Sequence, residues 1–377
     1  MALSGARCKT LFLIPTLGGG GAERVVCTLL RHIDQARFAL TLGVVDSRDA
    51  VFRRDVPDHV EYVDLAAGRV RYALPRLLKL IWSIRPDVVF STLGHLNLAL
   101  ALSKPLLPRR TRLIGRETIV LSQALASESR RALWSFGYRW FYRRLDRIVC
   151  QSRDMRDDLI REFAVPEEKA VVIPNPIDAE AIRRRACEAL PEAAADWVRP
   201  SAGLRLVAAG RLTFQKGFDL LLDAVASCRD LPVRVAILGD GPLRNDLLAR
   251  ARQLGIDERV DFVGYQQNPY PWFRAADAFV VSSRYEGLSN VMLEAIACGT
   301  PVIATPAPGG TRDVLSAISE CEIADSISSS SLASAIRVWA KRQRRRVPDD
   351  AVAAYSVERV TRRYEQEILA VAGVAGP

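Results

Sequence analysis

Histidine is scarce in this chain, with three in 377 residues, so a histidine-rich metal site is excluded. Methionine is equally rare, and lysine numbers six against 47 arginines, a usage that fits a GC-rich bacterial genome. The seven cysteines, at 8, 27, 150, 187, 228, 298 and 321, contain no C-x-x-C pair and sit mostly among apolar neighbours. That reads as buried free thiols in a reducing compartment, not a disulfide frame. No apolar run approaches the ~20 residues that cross a bilayer. The opening MALSGARCKTLFLIP lacks a secretory pattern, because its apolar stretch is short and runs into a glycine loop. The expectation is a cytoplasmic protein, peripheral at the inner face of the plasma membrane.

What is present is ordinary globular composition, 49% hydrophobic and 25% charged, in a chain long enough for two domains of roughly 150–200 residues. The net charge of +10 is unevenly spread. Residues 1–176 hold 28 basic and 18 acidic side chains, residues 177–377 hold 25 of each, and 101–150 alone carries 11 basic against 3 acidic. Such a patch attracts nucleic acid, an anionic membrane or a phosphorylated substrate. No RNP, zinc-finger or helix-turn-helix signature accompanies it, so nucleic acid is not the expected partner.

Short β-branched or apolar runs alternate with helical-period segments. The strand candidates are 10–17, 38–46, 60–65, 87–93, 112–115, 147–151 and 171–173 in the first half, and 204–210, 234–238, 260–264, 278–282, 301–304 and 322–324 in the second. This rhythm predicts two doubly wound, Rossmann-like α/β domains. The expected limits are 1–180, a linker at 181–200, 201–350, and a C-terminal segment at 351–377 whose helix spans about 357–370. The basic cluster at 341–346 reads as a solvated helix end.

Ligands of parallel sheets bind beyond the carboxyl ends of the strands, so the segments after each strand carry the argument. After the first comes Gly18-Gly19-Gly20-Gly21-Ala22-Glu23, which lets backbone approach a ligand at a helix start. It is neither G-x-G-x-x-G nor a P-loop. GRLTFQKG at 210–217 places Arg211 and Lys216 five residues apart beside a helix start, the cations a departing diphosphate needs. EGLSNVMLE at 286–294 spaces Glu286 and Glu294 around Gly287, Leu288 and Ser289, whose backbone N–H groups would open a helix. Glu294 lies deep enough in that helix to accept from two vicinal hydroxyls.

These pieces, with GDGP at 239–242, VDFVGY at 260–265, SSRYEGLSNVMLEAIACGTPVIAT at 282–305 and IPNPID at 173–178, resemble the retaining GT-B glycosyltransferases of family four (glycosyl transferases group 1). The resemblance covers nearly the whole chain and is of the bacterial polysaccharide and lipid-linked glycan type. It implies a GT-B fold, two Rossmann-like domains facing a cleft, with a last helix crossing back to the first domain. It implies that Arg211 and Lys216 hold a sugar-nucleotide diphosphate, most simply UDP-linked, and that Glu286 contacts the transferred hexose or N-acetylhexosamine. Glu294 would bond the ribose hydroxyls. Gly264-Tyr265 would lie near the base, and Gly287, Leu288 and Ser289 near the phosphates. Gly19-Gly20 would meet the diphosphate from the other domain, and His95 would line the sugar pocket, although a helix-start residue bonding backbone reads equally well. Arg116-Glu117 would either meet acceptor or sugar or form a surface ion pair. With no Asp-x-Asp in the chain, neither metal nor cofactor is expected, and fixed cations would neutralise the leaving group. Retention would proceed by same-face displacement, with a donor phosphate oxygen taking the acceptor proton. GTRDVL at 310–315 resembles the P-x-G-P-x-E stretch of some hexose and hexosamine transferases but has Thr311 and Asp313 in place of Pro and Glu, so it does not name the donor. Alternatives within the same reading are a soluble acceptor, as in sugar-phosphate synthases or phosphorylases, and a non-catalytic nucleotide-sugar binder.

From Glu128 to Arg147 the chain reads ESRRALWSFGYRWFYRRLDR. Trp134, Tyr138, Phe141 and Leu145 recur at helical spacing, widened by Leu133, Phe136 and Trp140, and arginines crowd the remainder. The stripe either packs on the first sheet or lies at a membrane interface with arginines at the headgroups. The expected partners are therefore a nucleotide-sugar donor, a lipid-linked or glycan acceptor, and an anionic membrane surface.

Overall fold

In the computed structural model the described residues are 7–48, 50–126, 128–190, 194, 197, 203–343 and 345–374. The chain divides into two compact units, Met1–Pro176 with Val357–Pro377, and Ile177–Ser356. Much of the segment expected as a linker at 181–200 lies outside the described residues, and its start is still helix, Ala179–Ala186.

Unit 1 is built on β1 (Cys8–Ile14), β2 (Phe38–Val44), β3 (Glu61–Asp64), β4 (Val88–Thr92), β5 (Arg112–Arg116), β6 (Arg147–Cys150) and β7 (Ala170–Val172), in the order β3-β2-β1-β4-β5-β6-β7. All neighbours run parallel. The central strands are near-continuous apolar runs because both faces are covered. In β1, Leu11 and Leu13 enter one core while Phe12 and Ile14 enter the other, the period of two of a strand. The second core is closed by the helix Val357–Ala372, which contributes Val360, Tyr364 and Ile368, four residues apart. Tyr364 meets Phe90 edge-on at 5.8 Å.

Unit 2 is built on β8 (Leu204–Ala209), β9 (Val233–Leu238), β10 (Val260–Gly264), β11 (Ala278–Val281), β12 (Val302–Ala304) and β13 (Glu322–Ile323), in the parallel order β10-β9-β8-β11-β12-β13. Its two ends are neighbours: Ile177 N–H donates to Tyr355 C=O at 2.9 Å, and Ile177 bridges Ser356.

Three sequence expectations change, at the segment 128–147, at Arg116-Glu117 and at Cys187. The segment 128–147 is not one helix. It is helical over Arg131–Phe141, tightens to a 3₁₀ turn at Tyr142–Arg144 and becomes β6 at Arg147. Its apolar residues divide between two faces. Tyr138, Tyr142 and Leu145 are buried in the core, whereas Leu133, Phe136 and Trp140 are exposed by 62, 55 and 59%. These three share the opposite side at i, i+3 and i+7 spacing, and the rings of Phe136 and Trp140 lie 5.9 Å apart. Arg116 and Glu117 form no surface ion pair, because both are fully buried. The Arg116 guanidinium donates to Asn175 Oδ1 at 2.6 Å, Thr92 Oγ1 at 3.1 Å and Tyr364 Oη at 3.2 Å. Glu117 accepts from the Tyr142 hydroxyl and from Asn97 Nδ2 at 2.7 Å, and burial raises its carboxyl pKa. The basic cluster at 341–346, where Arg344 lies outside the described residues, follows the helix Ser329–Ala340 and its described residues are exposed, as expected, although Arg342 pairs with Glu322 at 2.5 Å and Arg346 donates to Arg274 C=O. All seven cysteines are free thiols, five of them buried, but Cys187 is exposed. Among the described residues no helix is long and apolar enough to cross a membrane.

Candidate functional site

Each sheet reverses its strand order once, between β1 and β4 in unit 1 and between β8 and β11 in unit 2. At such a switch point the two following loops diverge and leave a crevice at the strands' carboxyl ends. The site residues expected from the sequence follow these four strands, except Gly264 and Tyr265, which end and follow β10.

In unit 2, β8 leads into Gly210 and Arg211, then a 3₁₀ turn Phe214–Lys216 and the helix Phe218–Ser227. Gly217 joins turn to helix at φ +61°, and a Cβ there would lie 2.1 Å from Ser282 C=O. Only glycine lets the two loops approach this closely. The segment after β11 is stitched along the turn. Ser282 Oγ donates to Lys216 C=O at 2.9 Å, and Gln215 Nε2 donates to Tyr285 C=O at 3.1 Å. Lys216 Nζ meets Glu286 Oε1 at 2.6 Å, and Ser283 Oγ donates to the same oxygen at 2.6 Å. Glu286 is thus buried but charge-compensated, and a small cavity beside it is lined by Lys216, Ser282, Ser283 and Ser289. Arg211 is exposed and forms no ion pair among the described residues.

Gly309 fixes the far wall, since a Cβ on it would lie 2.4 Å from Glu286 C=O. Gly310 N–H donates to Gly287 C=O at 2.7 Å, and Glu286 N–H to Pro308 C=O at 2.9 Å. Leu288 and Ser289 are buried, and Ser289 caps the helix Asn290–Ala297 by position without a side-chain bond. The Ser289 and Thr311 hydroxyls are both buried without a hydrogen-bond partner. Glu294 is 3% exposed, so a solvated helix face is not its setting. Gly264 ends β10 at φ +80°, and Tyr265 after it is 64% exposed, an available stacking face.

In unit 1, Gly19 and Gly20 follow β1, and His95 follows β4, the neighbouring strand. A Cβ on Gly20 would lie 2.4 Å from Glu23 Oε2. The carboxylate of Glu23, which also accepts from Thr16 Oγ1 at 3.3 Å, therefore sits at the start of the helix Gly21–His32. A resident carboxylate at that position satisfies the helix dipole from within. Leu93, just ahead of His95, holds φ +78°, a strained conformation for leucine of the kind found at ligand-facing loops. His95 is exposed, yet desolvation by its surroundings lowers its pKa and favours the neutral ring.

The structure brings together Lys216, Glu286, Gly287, Leu288 and Ser289, and it places Gly19, Gly20 and His95 at the corresponding edge of the other unit. Sequence reasoning missed Ser283, Gln215 and Arg284. Ser283 and Arg284 lie within three residues of Glu286, but nothing in the sequence says which residue of the earlier loop each one meets.

Residues 203–341 match the family described as "Glycosyl transferases group 1", and residues 19–181 match "Glycosyltransferase Family 4". One relative is the N-acetylgalactosamine-N,N'-diacetylbacillosaminyl-diphospho-undecaprenol 4-alpha-N-acetylgalactosaminyltransferase of Campylobacter jejuni. It is 28% identical over 81% of this chain and 83% of its own. The lipopolysaccharide core biosynthesis glycosyltransferase LpsD of Rhizobium meliloti is 34% identical over 45% of this chain and 46% of its own. Among solved structures, Anabaena Alr3699/HepE in complex with UDP and glucose superposes with a TM-score of 0.79 at 18% identity, covering 97% of this chain and all of that one.

Proposed function

From the premise that this chain belongs to the family-four GT-B glycosyltransferases, we propose that it moves a sugar from a UDP-linked donor to a lipid-linked or polysaccharide acceptor, retaining anomeric configuration. It is a glycosyltransferase of polysaccharide and lipopolysaccharide biosynthesis. The observation that carries the finer reading is the Lys216–Glu286 pair at the switch point of unit 2. A diphosphate takes Lys216 from Glu286, and the freed carboxylate accepts from hydroxyls of the sugar. Arg211 supplies the second cation, so charge on the leaving diphosphate is met by fixed cations without a metal. The backbone at Gly287–Ser289 would serve the same phosphates, Glu294 the ribose and Tyr265 the base. In unit 1, Gly19 and Gly20 serve the diphosphate, and the neutral ring of His95 serves the sugar.

The exposed Leu133, Phe136 and Trp140, with Arg131, Arg139, Arg143 and Arg144 around them, match an anionic bilayer surface in both apolar area and charge. The Campylobacter relative's name places its substrate on diphospho-undecaprenol. A soluble acceptor is the second reading, favoured by mannosylfructose-phosphate synthase of Agrobacterium fabrum, 30% identical over 44% of this chain and 38% of its own.

The test is a thermal-shift panel with UDP, GDP, ADP and TDP on the intact chain. A shift with UDP above the others is expected, and no shift with any of them sinks the donor reading. Lys216→Ala and Glu294→Ala should weaken nucleotide binding, whereas Glu286→Ala should mainly lower turnover. Equal nucleotide affinity in all three refutes those roles.

A further inference from the structure

Arg284 is engaged through its backbone, both terminal guanidinium nitrogens and its ring-stacking face, and no step of the transfer uses it. Its backbone N–H donates to Gln215 C=O at 2.8 Å. Its guanidinium donates to Phe214 C=O at 2.8 Å, and forks onto Asp219 with 2.8 Å to Oδ1 and 2.6 Å to Oδ2. The same group stacks 4.0 Å from the centroid of the Phe214 ring. All of these partners lie within the turn and the first helical residues that flank Lys216. A planar bidentate fork fixes both distance and angle, which a single ammonium contact does not.

The turn's other ties to the loop after β11 are single contacts, Ser282 Oγ to Lys216 C=O, Gln215 Nε2 to Tyr285 C=O and Lys216 Nζ to Glu286, none of them a fork. Phe214 is 62% exposed and adds little core packing. Gly217 has no side chain to anchor, and the turn itself closes by two backbone bonds, Lys216 N–H to Thr213 C=O at 3.1 Å and Gly217 N–H to Phe214 C=O at 3.2 Å. A three-residue 3₁₀ turn has poor hydrogen-bond geometry and little stability of its own. Lys216, with a flexible four-carbon stem, can be aimed only as well as its backbone is held.

We propose that Arg284 is a positioning residue, whose clamp on Phe214 and Asp219 fixes the turn that presents Lys216 to the donor diphosphate. The inference rests on the donor reading above. Arg284 does not touch the diphosphate itself, because its fork is already committed to Asp219. That carboxylate, in the first turn of Phe218–Ser227, also meets the positive end of its helix.

The intact chain distinguishes a brace from a ligand. UDP affinity by calorimetry should fall about tenfold, a coupling of the usual size between contacting groups, in Arg284→Ala and equally in Asp219→Asn. In a Lys216→Ala background neither change should cost anything further. Backbone amides of Lys216 and Gly217 should exchange faster in both variants without nucleotide. Arg284→Lys, which keeps charge but loses the fork, should not rescue. Tighter UDP binding in Asp219→Asn would mean that a freed guanidinium binds phosphate directly, and overturns the proposal. An additive loss in the Lys216→Ala background overturns it too. If the unaltered chain does not bind UDP, the donor reading fails, and unchanged amide exchange in the two variants separately refutes the clamp. Should Arg284→Ala fail to fold, Phe214→Ala with Asp219→Asn carries the same comparison, since the Phe214 ring is mostly in solvent.

Discussion

Replacing Lys216 by methionine tests how much the site depends on a pair of charges that neutralise each other. Removing one partner of a fully buried ion pair costs about 3–5 kcal/mol, because the other charge is left uncompensated. Here Lys216 keeps 21% of its side chain in solvent and Glu286 only 6%. Glu286 also retains Ser283 Oγ at 2.6 Å. The loss for Lys216→Met should therefore be nearer about 2 kcal/mol. For a unit of this size each kcal/mol moves the melting temperature by about 2–4 °C, so calorimetry should find a drop of roughly 4–8 °C. Adding Glu286→Gln removes the stranded charge, and the double variant should recover most of that drop, with a coupling of about 1–2 kcal/mol. A double variant that melts as low as the two single losses added together would show that the 2.6 Å contact carries no mutual compensation, and would refute the reasoning.

Three further outcomes follow from other parts of the chain. Leu133→Ser/Phe136→Ser/Trp140→Ser should melt within about 2 °C of the parent, as surface changes do, yet lose flotation with anionic vesicles at low salt; Tyr138→Ser, on the packed face, should cost about 3 kcal/mol or more. If the triple variant melts as low as Tyr138→Ser, the two faces have been misassigned. Glu117 has a carboxyl pKa raised mainly by burial, so the folded state holds its proton longer than the unfolded one, and its contribution is present at low pH and lost as pH rises through the unfolded value towards the folded one. Glu117→Gln should accordingly gain stability relative to the parent at pH 8 compared with pH 5, and a gain at pH 5 instead contradicts the burial. Gly217→Ala should cost more than Gly255→Ala, since both have left-handed φ but only the first would set a Cβ 2.1 Å from a carbonyl oxygen; equal melting temperatures in the two would remove the steric argument.

The central strands were legible because they are short apolar runs buried on both faces, a signal that survives without partners, whereas the edge strands β3, β7, β10 and β13 are only partly buried. The sheet order then located the candidate residues, since the loops after β8 and β11 adjoin only through strand pairing. What sequence could not give was pairing at a distance. Arg116 and Glu117 read from the sequence either as a ligand contact or as a surface pair, whereas the fold buries both and satisfies them with Asn175, Thr92, Tyr364, Asn97 and Tyr142. The stripe from Glu128 to Arg147 misled differently. Its aromatic residues have one helical period but two destinations, and hydrophobicity alone does not say which side meets protein. Arg284 left no trace, because its value lies in partners 65 and 70 residues away.

Unit 2 behaves as a cassette threaded into unit 1. Its first residue is hydrogen-bonded beside its last, so the chain leaves and re-enters unit 1 at neighbouring points, and a foreign unit with ends as close could be exchanged there. The host bears the cost in timing. Val360, Tyr364 and Ile368 complete a core begun by Phe12 and Phe90, yet they leave the ribosome only after the whole cassette has been made. The core of unit 1 is complete only when the nascent chain delivers Tyr364 to Arg116, and any product cut short inside the cassette leaves that core uncovered for proteases to find.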